Sequence, residues 1–170
     1  MNRIISFGGL LLALAVMVSS CSKNRKMERK LVGSWNVIKS SNSQNTAKGV
    51  LTVIIEFSGD CTYNKDKTGS CNLTGYISVD GTIGQNNQPI SFKYPMSGTY
   101  TIKEWDIKDG KLYITYDDNT TEVYLVTEGT EDKFVLEPIE GESEIRTKIT
   151  TPDGTTVDII VLYRMELTRQ

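Results

Sequence analysis

The sequence predicts an all-β fold, an antiparallel up-and-down meander of about eight to ten strands, and three observations predict it. From Leu31 to the C-terminus, short runs rich in Val, Ile, Thr, Tyr and Phe alternate apolar and polar side chains, the period of a half-buried strand. Turn-forming clusters interrupt the runs at short intervals. No stretch after Leu31 keeps a helical apolar period. So many strands in one chain must close on themselves or stack in layers, because open edges invite association.

The runs are, in order, Trp35 to Lys39, Leu51 to Phe57, Leu73 to Val79, Ile90 to Tyr94, Thr99 to Trp105, Leu112 to Tyr116, Glu122 to Thr127, Phe134 to Pro138, Ile145 to Thr150 and Val157 to Leu167. Hairpin signals separate many of them, including Ser58-Gly59-Asp60, Lys108-Asp109-Gly110, Asp117-Asp118-Asn119 and Pro152-Asp153-Gly154. Parity assigns the buried side. Leu51, Val53, Ile55 and Phe57 share a face, as do Leu112, Ile114 and Tyr116, and as do Val157, Ile159, Val161, Tyr163, Met165 and Leu167. The stretch from Gly59 to Pro89 is less regular and reads as a long hairpin plus a polar loop.

Ahead of the meander, Arg3 and an apolar run from Ile4 to Val18 precede Val18-Ser19-Ser20-Cys21. A charged start, a short apolar stretch and small residues at a cleavage point read as a removable secretory signal, too short for a membrane span. The last four residues resemble the lipobox of bacterial lipoproteins, which implies that Cys21 becomes the lipidated first residue. Residues 21–30 then form a basic tether, with Lys23, Arg25, Lys26, Arg29 and Lys30 against Glu28 alone. Such a cluster can be drawn to anionic headgroups, or can serve as a solvated spacer.

The chain has 19 lysines and arginines and 21 acids. Six of the bases and one of the acids precede Leu31, so the body carries 13 bases against 20 acids, net −7. That balance, with no basic face rich in aromatics, argues against nucleic acid. Cys61 and Cys71 form an even pair in an oxidising compartment and read as a disulfide or as two free thiols. The chain has no histidine, so its commonest general base and metal ligand is missing. No nucleophile elbow or phosphate loop is present either. Asp106, Asp109, Asp117 and Asp118 sit in turn signals, where Asp is favoured by bonding the local backbone. The expectation is a protein that is not an enzyme and carries no metal or cofactor.

Leu31-Val32-Gly33-Ser34-Trp35-Asn36-Val37 resembles the opening of a lipocalin-like domain, whose first strand begins with Gly-x-Trp. With the lipobox before it and the meander after it, the chain is similar to the small lipocalin-like lipoproteins of Bacteroidetes. The resemblance implies a signal peptide over 1–20, a lipidated basic tether over 21–30 and a lipocalin-like β-barrel over 31–170. It also implies that Trp35 packs across the closed end of the barrel against an arginine of the last strand. Trp35 shares its face with Val37, and Arg169 shares its face with Leu167 and Met165, which makes Arg169 the partner ahead of Arg164. More than eight runs are present and no helix follows the last, a departure from lipocalins proper.

The expected function is that of a binding lipoprotein of the cell envelope, anchored to the outer membrane through lipidated Cys21. Ser22-Lys23-Asn24-Arg25-Lys26 lacks the acids that go with surface export in the lipoproteins it resembles, which points the protein to the periplasm. Its cargo would be a small apolar or amphipathic ligand. The other reading is a filled barrel that binds an envelope protein or inhibits a protease. The bulky inward residues Phe57, Tyr100, Tyr116, Phe134 and Tyr163 favour a narrow interior. Tyr63, Tyr76, Tyr94, Tyr113 and Tyr124 are the candidate interface aromatics.

Overall fold

Strands form where apolar and polar side chains alternate, and they end where the backbone needs an unusual conformation. The computed structural model describes residues 22–45, 51–83, 88–143, 145–150 and 156–170. Cys21 and the expected signal lie outside the described residues. The strands are β1 (Gly33–Asn45), β2 (Leu51–Tyr63), β3 (Gly69–Ile83), β4 (Gln88–Lys108), β5 (Lys111–Tyr116), β6 (Thr121–Gly129), β7 (Lys133–Pro138), β8 (Ile145–Thr150), β9 (Thr156–Val161) and β10 (Arg164–Arg169). A short helix, α1, covers residues 22–31 and leads into β1. Asp109 and Gly110 between β4 and β5, and Asn119 between β5 and β6, take the positive φ angles that tight turns require.

Eight of these strands form one antiparallel sheet in the order β1-β10-β7-β6-β5-β4-β3-β2, and β1 pairs again with β2, so the order returns to its start. Neighbours in the ring follow one another up and down the chain. The interruption is β8 and β9, a hairpin inserted between β7 and β10 as a separate two-stranded sheet, with β9 lying against β1. β4 pairs with β5 only from Ile102 onward, so its first half is an edge. Pro89 and Pro95 fall on that edge, where a missing N–H is tolerated.

Inside the ring lies the core, including Trp35 and Val37 from β1, Val53 and Ile55 from β2, Leu112 and Ile114 from β5, Phe134 and Leu136 from β7, and Met165 and Leu167 from β10. Cys61 and Cys71 face inward and lie directly opposite each other on β2 and β3, Cα atoms 4.1 Å apart, joined as a disulfide. Both are buried.

Several expectations need correction. The runs Ile90 to Tyr94 and Thr99 to Trp105 belong to one strand, β4. The intervening Pro95-Met96-Ser97-Gly98 interrupts the apolar pattern, but all four residues pair with β3 and the strand runs through them. A register shift further on, between Ile102 and Glu104, flips the inward parity from even to odd residues. Conversely, the run from Val157 to Leu167 breaks at Leu162 and Tyr163 into β9 and β10. The long hairpin expected after Gly59 is present as β2 and β3, and the polar run 84–87 lies outside the described residues. Ser58-Gly59-Asp60, expected as a hairpin connection, instead runs within β2, because pairing with β1 and β3 overrides its glycine. Asp106 stands within β4 and not in a turn. The tether is no bare spacer: residues 22–31 are helical, because Met27 and Leu31, four apart, bury together on the end of the ring.

That end is sealed by the first and last strands. Trp35 is the register partner of Arg169, whose guanidinium carbon lies 4.2 Å from the centre of the indole ring. Arg169 also donates to the carbonyls of Lys30, Val32 and Glu131, each at 2.9 Å. The Trp35 indole N–H donates to Leu31 O at 2.7 Å. Carbonyls at a helix C-terminus lack intrahelical partners and carry the negative end of its dipole, so a cation and an indole donor suit them. Gly33 is required here: with φ at +134°, a Cβ would stand 2.2 Å from an Arg169 nitrogen. Arg164 points elsewhere, to Glu137 and Glu166.

Candidate functional site

At the opposite end of the ring, the apolar alternation of β1 breaks. Trp35 and Val37 face inward, and the next inward position is Lys39, whose residue surface is only 6% exposed. β6 supplies the answering charge: Lys39 Nζ lies 2.5 Å from Glu122 Oε1. The other carboxylate oxygen of Glu122 accepts hydrogen bonds from the hydroxyls of Tyr116, at 2.9 Å, and Tyr124, at 2.7 Å. The Lys39 ammonium also sits 4.3 Å from the centre of the Tyr163 ring. Residues from β1, β5, β6 and the approach to β10 thus converge on one carboxylate.

Burial works to raise the Glu122 carboxyl, and the Lys39 charge with the hydrogen bonds from Lys39, Tyr124 and Tyr116 outweighs it, holding it below the usual range. Burial and the same carboxylate push the Tyr116 and Tyr124 hydroxyls well above theirs. Tyr63, deeper in the ring, is raised by burial and then by Glu122. Its hydroxyl has no hydrogen-bond partner among the described residues. Glu122 therefore stays ionised and the phenols stay neutral donors near neutral pH. That distribution suits fixed polar recognition better than proton transfer.

A partly enclosed cavity of about 240 Å³ opens above the pair. Phe57, Leu73, Met96, Tyr100, Tyr116 and Tyr163 form its apolar and aromatic walls, and Asp117, Asp118 and Thr120 of the β5–β6 turn form part of its rim. The rings brace one another, Phe57 against Tyr163 at 6.4 Å and Tyr100 against Tyr116 at 6.1 Å. Asp118 is a turn residue, its carboxylate accepting from the backbone and hydroxyl of Thr120. Comparison with protein-family models, with curated proteins and with solved structures finds no match to this chain.

None of the residues singled out in the sequence as anchors of structure lines this cavity. Gly33, Trp35 and Arg169 gather at the sealed end, and Cys61 with Cys71 lies in the interior. Of the inward aromatics, Phe57, Tyr100, Tyr116 and Tyr163 come together in the wall, whereas Phe134 packs edge-on against Trp35 below. Two of the candidate interface tyrosines are corrected outright: Tyr63 is 1% exposed and Tyr124 2%, because odd residues of β2 and even residues of β6 face inward. Tyr76 and Tyr113 are half-buried and Tyr94 is 64% exposed. Sequence reading missed Lys39 and Glu122. The signal was available as two charges at inward parity, Lys39 after Trp35 and Val37, Glu122 before Tyr124.

Among the described residues, no group of three or more Cys, Asp and Glu side chains is placed to hold a metal ion. No helix among them is long and apolar enough to cross a membrane.

Proposed function

We propose that this chain is a lipocalin-like binding lipoprotein of the bacterial cell envelope, held to the membrane through Cys21, that carries a small amphipathic molecule in the cavity at its open end. One observation carries the ligand reading: an aromatic-walled cavity of about 240 Å³ whose floor is the buried Lys39–Glu122 pair. A few polar groups in an apolar concavity are the usual build of a small-molecule site. The volume falls below the ~300–1,000 Å³ of pockets for drug-sized ligands, which restricts the cargo to a small molecule. A buried ion pair contributes little net stability compared with apolar replacements, so the pair is better understood as polarity kept for a ligand.

The anchor reading rests on Arg3, the apolar run to Val18 and Val18-Ser19-Ser20-Cys21. The barrel reading rests on the ring order and on Gly33, Trp35 and Arg169 meeting where the first and last strands pair. Action by binding and not by catalysis is consistent with a chain without histidine and with a carboxyl and phenols that titrate far from neutrality.

The second reading, a filled barrel that binds an envelope protein, is favoured by the lower interior, where the large side chains of Trp35, Tyr63, Trp105, Tyr124 and Phe134 are all buried. Native mass spectrometry of protein purified from its own envelope separates the two. A retained small molecule that is lost in a folded Met96→Trp variant, which fills the cavity, supports carriage. Protein that arrives empty but with a second envelope protein bound overturns it in favour of the filled barrel.

A further inference from the structure

Helix α1 arranges its cations in a way the sequence alone does not reveal. Met27 and Leu31 turn into the ring and are buried. At about 100° per residue, Arg25, Lys26 and Arg29 then fall on the opposite face, and all three are exposed. Glu28, the helix's one acid, is spent on an ion pair with Lys67 at 2.9 Å. On the other flank, Lys30 Nζ donates to Gly129 O at 3.3 Å. The helix therefore spans the sealed end from the β2–β3 turn to the end of β6, and the Arg169 bonds to Lys30 O and Val32 O fasten its C-terminus. A groove of about 620 Å³ between helix and body is lined by Lys26, Arg29, Lys30 and Arg169 with Glu131.

We propose that this outward stripe of α1 is a docking surface for an anionic phospholipid bilayer, so that the molecule stands on its sealed end with its cavity facing away from the membrane. Three features commit the surface to that occupant. The stripe is cationic while the body from Leu31 onward is net −7, which opposes approach by other faces. The apolar run and lipobox-like residues directly precede the helix, so the bilayer is the surface delivered to it. The acids Asp117 and Asp118 lie at the far rim of the ring, which anionic headgroups repel. Glu131 lines the groove beside the helix, so the stripe meets the surface helix-first. The orientation also means that a ligand enters the cavity from the aqueous side. This inference rests on the proposed anchor at Cys21 and not on what the cavity holds, and binding to neutral vesicles tests that anchor separately.

The test uses the full chain as its host processes it, reconstituted with vesicles of phosphatidylcholine alone or mixed with phosphatidylglycerol. Binding to the neutral vesicles measures the anchor, and the ratio between the two isolates the helix. Three cations near an anionic surface are expected to give a ratio on the order of 100-fold, shrinking as salt rises. In Arg25→Gln/Lys26→Gln/Arg29→Gln the ratio falls to near one, while Lys93→Gln/Lys103→Gln, exposed cations of β4, keeps it. Hydrogen exchange on the anionic vesicles is expected to slow at residues 64–68 and 130–132 and to be unchanged at 117–120. A triple variant that keeps the ratio, a control that loses it, or equal slowing at both ends of the ring overturns the proposal.

Discussion

Lys39 and Glu122 are the residues on which the interior is least forgiving. Each is a charge largely hidden from water, and each depends on the other for compensation. Lys39→Met leaves Glu122 with two phenol donors and no cation, and Glu122→Gln leaves an ammonium against an aromatic face. Each single change is expected to cost about 3–5 kcal/mol, the penalty of stranding a buried charge. Lys39→Met/Glu122→Leu removes both charges and is expected to cost less than either single variant. Urea unfolding of the four proteins checks this, and additive single costs would show that the pair is not coupled. The two residues were hard to see in the sequence because 83 positions separate them and each looks like an ordinary solvated strand charge. Only parity marked them as inward.

At the scale of elements, the β2–β3 hairpin is specified both by pairing and by a covalent bridge. Its thirteen register pairs run from Leu51 opposite Gly81 to Tyr63 opposite Gly69, with the disulfide near the turn. A bridge with a sequence separation of 10 is expected to contribute about 2–3 kcal/mol by restricting the unfolded chain. Cys61→Ala/Cys71→Ala should lower the melting temperature by roughly 5–10 °C for a domain of this size. Calorimetry of the folded double variant tests it, and an unchanged midpoint would place the stabilisation of the hairpin wholly in its pairing. Even Cys spacing and alternation made this hairpin's central features readable beforehand. Its length was not, because Ser58-Gly59-Asp60 reads as a turn, whereas Gly59 lies within β2 and Gly69 and Gly75 lie within β3. In the sheet they lie where a Cβ would collide with backbone of the facing strand.

Over the whole molecule, burial of ionisable side chains sets a pH window. Asp106 is held at about 2, against the pull of burial, by hydrogen bonds from Lys108 and Lys67 and by the Lys67 charge, and Glu122 is also depressed. A carboxyl with a lowered folded pKa stabilises the fold above its ordinary pKa and loses that contribution as pH falls through the folded value. Tyr63, Tyr116, Tyr124 and Tyr163 are raised, chiefly by burial. Their contribution is intact below about pH 10 and is lost as pH rises beyond it. Urea midpoints are expected to be flat between about pH 5 and 9 and to fall on both sides. Phenolate absorbance should show these four titrating in one step with unfolding. Titration of all 8 tyrosines together near pH 10 with the fold intact would contradict the burial described here.

The all-β class, the approximate positions of most strands and the inward set Leu51, Val53, Ile55, Leu112, Ile114, Met165 and Leu167 were determined by sequence alone, because alternation is a local property with a period of two. The Gly33, Trp35 and Arg169 constellation was legible only through the resemblance of Leu31 to Val37 to a lipocalin-like opening, which implies a last-strand arginine, and parity then selected Arg169 over Arg164. Tertiary structure alone decided that β4 is one strand, that residues 22–31 fold as a helix over the sealed end, and that Lys39 reaches Glu122 beneath a ring of tyrosines. Each of these depends on which distant strands become neighbours and at which register, and a pattern with period two carries no information about that.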